Sequence, residues 1–126
     1  RNALLLAEAL ANCSAVRVPL PSESITHAWY KFYAFVKPEA LAEGWSRDRI
    51  LKEISALGYP SFSGTCSEIY LENCFQNAGL APVERLPVAR ELGETSLMFL
   101  VHPTISSEQM EAYAQAVRSV MTKASA

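Results

Sequence analysis

The chain is predicted to be an α+β domain: a small, largely antiparallel sheet of about three strands with helices packed on one face. Three observations lead there. Residues 26–38, THAWYKFYAFVKP, alternate as a strand does, with Tyr30, Phe32, Ala34 and Val36 on one face and Trp29, Lys31, Tyr33, Phe35 and Lys37 on the other. The apolar run from Leu97 to Val101, ended by His102 and Pro103, has the length of a strand buried on both faces. Met110, Tyr113, Ala114, Val117, Val120 and Met121 then follow helical spacing.

The elements are read in chain order. RNALLLAEALANC, at 1–13, is helical in composition, with Leu4, Ala7, Leu10 and Ala11 as a candidate buried stripe. A helix of about 12 residues is marginal alone. With no methionine at its start and none of the marks of a signal peptide, it reads as the tail of a helix that begins upstream. VRVPLPSES, at 16–24, carries two prolines and is expected to be an extended connection. Ser46 is a helix N-cap, Asp48 sits in the first turn, and Ile50, Leu51, Ile54 and Leu57 form the apolar face that Gly58 ends. Residues 59–63 are a short strand weakened by Pro60. Ser67 is expected to cap a short helix carrying Ile69, Leu71 and Phe75, and Pro87 to open another that stops at Gly93. Ser106 and Gln109 have capping-box spacing, with Ile105 placed to staple Met110.

Composition narrows the function. The 126 residues fit one domain, and with 50% of them hydrophobic and 19% charged a packed core is expected. The net charge of −2, with both signs interspersed, lacks the basic stripe of a nucleic-acid binder. No apolar run approaches the ~20 residues of a membrane span, so neither partner is expected. Cys13, Cys66 and Cys74 read as reduced thiols of a cytoplasmic protein. His27 and His102 are isolated, without zinc-ligand spacing.

The odd face of the 26–38 strand is the first candidate site. An ammonium at Lys31 among aromatic rings suits an anionic, flat or sugar-like ligand, while the plain alternative is a lysine that snorkels to water. Left uncovered, such a face is an apolar patch of the kind that meets a partner. Cys66 near a helix start reads as a nucleophile or as an inert buried thiol. Glu68 and Glu72, four residues apart, read as an acid–base pair or as a solvated helix face. Arg47 and Arg49 oppose the dipole at a helix start, which suits an anion, a subunit contact or simple exposure.

Four segments taken together carry a family resemblance: THAWYKFYAFVKPE at 26–39, GWSRDRI at 44–50, GYPSFSGTCSEIYLENCF at 58–75 and LPVARELGETSLMFLVHPTISSEQM at 86–110. In their order and spacing they resemble the C-terminal small domain of the DegT/DnrJ/EryC1/StrS sugar aminotransferases, pyridoxal-phosphate (PLP) enzymes of the aspartate-aminotransferase-like fold type I. The resemblance covers nearly the whole chain, as a single domain over 1–126 with 1–15 as the end of the helix linking to a large PLP-binding domain.

The resemblance implies a parent enzyme that transfers an amino group from glutamate to a keto nucleotide-sugar in polysaccharide or amino-sugar biosynthesis. The parent is expected to be a cytoplasmic homodimer, in which this domain contacts its own large domain and the second subunit. The Schiff-base lysine and the PLP site are expected on the large domain, so this stretch has no catalytic residue and is inactive alone. Lys31 falls where many relatives have a histidine facing the substrate, on the same strand face as Tyr33. The turn bearing Ser63, Gly64, Thr65 and Ser67 falls where relatives carry a histidine-tyrosine segment near the sugar pocket. Its hydroxyls and backbone N–H groups suit a polyhydroxylated ligand, and a helix start at Ser67 would suit a phosphate; an ordinary turn and cap is the alternative. From another class, a free-standing α+β binding or regulatory module would use the same open sheet face for a partner.

Overall fold

A computed structural model describes residues 1–126. Its centre is a pair of antiparallel strands, β2 (Phe32–Val36) and β4 (Ser96–Phe99), in register from Phe32 opposite Phe99 to Phe35 opposite Ser96. A strand of two residues flanks each: β1 (Val16–Arg17) beside β2 and β3 (Ser61–Phe62) beside β4, giving the order β1-β2-β4-β3 with every pairing antiparallel. The sheet thus has four strands rather than about three. The extra one lies in the segment read as a connection, where Val16 and Arg17 pair with Val36 and Phe35.

The alternation in β2 holds where the strand exists. Phe32, Ala34 and Val36 are buried, and Tyr33 and Phe35 half-buried on the other face. It fails before Phe32. Trp29 has φ +50°, in the left-handed region, so the chain bends, and Tyr30 is 83% exposed instead of joining the core face. β4 is buried on both faces, as its unbroken apolar run predicts.

Helix α1 (Asn2–Leu10), α2 (Arg47–Ala56) and α5 (Ser107–Ala124) build the core against the Phe32/Ala34/Val36 face. In α5 all six residues read from helical spacing are buried, and Ser106 and Gln109 complete the capping box in both directions. The Ser46 hydroxyl accepts from the Arg49 N–H at 3.2 Å, and Gly58, at φ +87°, lets the chain leave α2 in a conformation that side chains disfavour. α1 is rotated from expectation. Ala3, Leu6 and Leu10 point inward, while Leu4 is 59% exposed and Ala11 lies outside. Asn2 decides that rotation: its buried amide donates to the carbonyls of His102 (3.0 Å) and Ile105 (3.3 Å), pinning α1 to the loop before α5.

Residues 63–94 differ in kind. Two short helical segments, a 3-10 turn at Ile69–Leu71 and α3 (Asn73–Asn77), replace the single helix expected there, and Ser67 caps neither. α4 (Pro87–Thr95) begins at its proline and runs past Gly93 into β4. No helix of the chain is long and apolar enough to cross a membrane.

Candidate functional site

The face of β2 turned away from the main core is lined by Tyr33 and Phe35. The turn at 63–67 and helix α4 lean over it. Together Tyr33, Phe35, Thr65, Ser67, Leu86, Val88, Ala89, Leu92 and Ser96 border an open groove of about 540 Å³. Its floor is aromatic, one wall is aliphatic and the other carries hydroxyls. Ser63, Gly64, Thr65 and Ser67 also line a shallower adjoining hollow with Cys66 and Glu68.

Local sequence explains why these groups meet. Gly64, at φ +91°, lies so close to the Tyr33 ring that a Cβ would stand 2.7 Å from its Cε1. Gly93 in α4 leaves the space that the Ser67 side chain fills, where a Cβ would sit 2.2 Å from the Ser67 Oγ. Ser96 in β4 donates its hydroxyl to the Ser63 carbonyl. Two glycines and one serine therefore seat the turn on the sheet and on α4 at the same time.

Five of the six sequence-predicted residues, Tyr33, Ser63, Gly64, Thr65 and Ser67, are brought together. Lys31 is not among the groove-lining residues; it precedes β2, and its Nζ lies 5.3 Å from the centroid of the Tyr30 ring. The ammonium–ring contact exists, though with a neighbour in sequence rather than across a strand face. The phosphate-binding helix start read at Ser67 is absent, because the 3-10 turn begins only after Glu68 and α3 after Glu72.

Glu68 is the feature that sequence reasoning missed. Its spacing from Glu72 suggests one of two carboxylates on a helix face. It is instead nearly buried, and its carboxylate accepts from Arg85 Nε at 2.8 Å, from Arg85 Nη2 and from the Tyr70 hydroxyl at 2.7 Å. The Tyr70 oxygen in turn accepts the Leu86 N–H at 2.9 Å. Hydrogen bonds from Arg85 and Tyr70 hold the Glu68 carboxyl down at about 2, against an ordinary value of 4.5. Burial and the Glu68 carboxylate push the Tyr70 phenol up. The only local clue was acid, aromatic and arginine at 68, 70 and 85, too far apart for a periodic pattern.

A pH dependence follows. The unfolded chain takes up a proton on Glu68 near 4.5, whereas the folded chain resists until about 2. The contribution of this carboxylate to stability is therefore complete above the unfolded value and is lost as pH falls through that window. Glu68→Gln should flatten the stability profile between those limits. Urea midpoints with the same slope against pH in both proteins would refute this.

The other singled-out residues take structural partners. Arg47 donates to the carbonyls of Gly93 (3.0 Å) and Ser96 (3.2 Å), and Arg49 donates to Gly44 O and lies 4.3 Å from the centroid of the Trp45 ring. The Cys66 thiol is exposed and 3.7 Å from Glu72 Oε1. Placed beside a carboxylate and not at a helix start, it lacks the setting that activates a thiol. His102 Nδ1 lies 2.7 Å from the Thr104 hydroxyl.

Solved structures match the chain over nearly its whole length. An aminotransferase from Psychrobacter cryohalolentis is 47% identical with a TM-score of 0.91, over 98% of this chain and 33% of that one. A DegT DnrJ EryC1 StrS aminotransferase from Brucella abortus matches at 24% identity and a TM-score of 0.72, over 94% and 29%. A proposed sugar aminotransferase from Streptococcus pneumoniae, in its PLP form, matches at 18% and 0.77, over 97% and 30%. No protein-family model matches the chain, and no curated protein does. The chain spans about a third of the length of the structures it matches.

The fold is that of one domain of an aminotransferase. Within that class, the resemblance to the DegT/DnrJ/EryC1/StrS aminotransferases read from the four sequence segments is borne out.

Proposed function

We propose that the chain is the C-terminal small domain of a PLP-dependent aminotransferase that moves an amino group from glutamate onto the keto group of a nucleotide-linked sugar. The observation that carries this reading is the 47% identity to an aminotransferase over 98% of the chain. The domain covers the active site, and the groove under α4 faces the substrate. Thr65 and Ser67, with Ser63 and the backbone at Gly64, bond sugar hydroxyls, while Tyr33 supplies an apolar floor. Lys31, outside the groove and just before β2, contacts an anionic group of the same substrate.

PLP and its Schiff-base lysine belong to a separate large domain. Lys37, Lys52 and Lys123 are exposed and Lys31 rests over Tyr30, which does not suit a lysine enclosed with a cofactor. Alone, the chain is inactive. In the complete enzyme it contacts its own large domain and a second subunit, in a cytoplasmic homodimer serving polysaccharide or amino-sugar biosynthesis.

The test is to express the chain within its complete reading frame and record visible absorbance. Bound PLP should give a yellow protein that glutamate bleaches, and a panel of keto nucleotide-sugars should restore the colour with one acceptor. A colourless protein would reject the reading and favour the free-standing binding module. In the active enzyme, Lys31→Ala should raise KM for the sugar substrate with kcat little changed; an unaltered KM would remove Lys31 from the site.

A further inference from the structure

We propose that Glu68 and Arg85 are positioning residues whose ion pair sets the Ser63–Ser67 turn against Tyr33, and so shapes the pocket for the sugar. This rests on the aminotransferase reading for its consequence, though not for its geometry.

Between Ser63 and Glu94 the only buried residue is Glu68, a charged one. The segment therefore lacks an apolar anchor of its own. Large side chains along it, including Ile69, Leu80, Val83 and Val88, are more than half exposed. Polar contacts tie it to the rest of the domain at its two ends, and a further set closes it on itself. At one end Ser96 donates to the Ser63 carbonyl. At the other, Arg47 donates to the Gly93 carbonyl at 3.0 Å. Between them, within the segment, Glu68 receives both donors of the Arg85 fork, and Tyr70 bridges Glu68 to the Leu86 N–H, closing the turn onto the start of α4.

Arg85 and Leu86 lead directly into α4, whose Leu92 and Ala89 wall the groove. The pair thus ties the hydroxyl-bearing turn to the aliphatic wall and fixes the distance between the two sides of the pocket. Arg90 and Glu94, 2.8 Å apart in α4, extend the network through Glu94 to Arg85 at 3.5 Å. A planar guanidinium receiving a carboxylate through two N–H groups fixes direction as well as distance, which a lysine would not. Gly64 and the Tyr33 ring, in near contact, report whether the turn is seated.

The experiment has two arms, with Glu68→Gln and Arg85→Lys as variants. In the 126-residue chain, the Gly64 α-protons should show a ring-current shift from Tyr33. That shift should collapse in Glu68→Gln and be partly kept in Arg85→Lys, with exchange of the Leu86 amide accelerated and that of the Leu97–Phe99 amides unchanged. An intact Gly64 shift in Glu68→Gln would overturn the proposal.

In the complete enzyme, Glu68→Gln should raise KM for the sugar substrate about tenfold or more, the scale of a misplaced contact. PLP absorbance and KM for glutamate should stay as in the unmodified enzyme, with Arg85→Lys intermediate. Normal PLP loading with an unaltered sugar KM, or equal losses toward both substrates, would overturn the positioning role alone. An unmodified enzyme that holds no PLP would overturn the proposed function and this consequence with it.

Discussion

Phe99→Ala is expected to lower the unfolding free energy by about 3–5 kcal/mol, the cost of truncating a fully buried aromatic side chain. Phe99 is completely buried in β4 and stands opposite Phe32 on one side and Ser61 on the other. Its ring lies 6.4 Å from that of Phe32 and meets the Tyr113 ring edge-on at 6.1 Å. It therefore joins the two central strands to α5. Truncation removes apolar burial and two aromatic contacts, and it leaves a void that two strands and a helix cannot collapse to fill. Since domains are stable by about 5–15 kcal/mol, a large part of the margin would go. Urea denaturation at neutral pH should show a much lower midpoint with an unchanged m-value; a midpoint within error of the parent would refute it.

Gly64→Ala is expected to act on the candidate site more than on the core. Its φ of +91° is costly for any residue with a Cβ, by about 1–3 kcal/mol. The new methyl would also stand 2.7 Å from Tyr33 Cε1, so the ring or the turn must shift. Both consequences move Tyr33 relative to Thr65 and Ser67. A double-mutant cycle with Tyr33→Ala separates them: removing the ring should relieve the clash and leave the backbone cost. Equal stability of Gly64→Ala and the parent, or strict additivity in the cycle, would show that the close approach carries no weight. In the proposed enzyme the same substitution should raise KM for the sugar.

Much of the architecture was legible because it is encoded locally. α5 and α2 carry both their faces and their caps within one stretch of chain, so period and Ser46 or Ser106 locate them. β4 is short, apolar and bounded by Pro103 after its run, and β2 alternates from Phe32 onward. What misled was the continuation of a pattern into a segment that the backbone does not support. Tyr30 fits the alternation, but the bend at Trp29 turns it outward, where His27 Nδ1 accepts the Trp29 N–H at 2.9 Å. Leu4 fits a helical stripe, yet Asn2 sets the rotation of α1 through carbonyls a hundred residues away.

The candidate site divides in the same way. The hydroxyl-rich turn and the aromatic strand were each visible as composition, and the sheet brings them together. The glycine–tyrosine contact, the seat of Ser67 over Gly93, and the Glu68–Arg85 pair were not visible, because each joins residues that no period relates.

On its own, the order of residues determined the α+β class, the capped helices and the buried strand, since propensity, capping and alternation act over a few neighbours; the likeness to aminotransferases came separately, from the resemblance of four segments in their order and spacing. Only the tertiary structure decided the fourth strand, the rotation of α1, the displacement of Lys31 from the groove and the closure of residues 63–94 on themselves through a buried carboxylate. A two-residue strand exists only beside its partner, and a charged group is buried only where a distant guanidinium and a neighbouring phenol are placed to bond it.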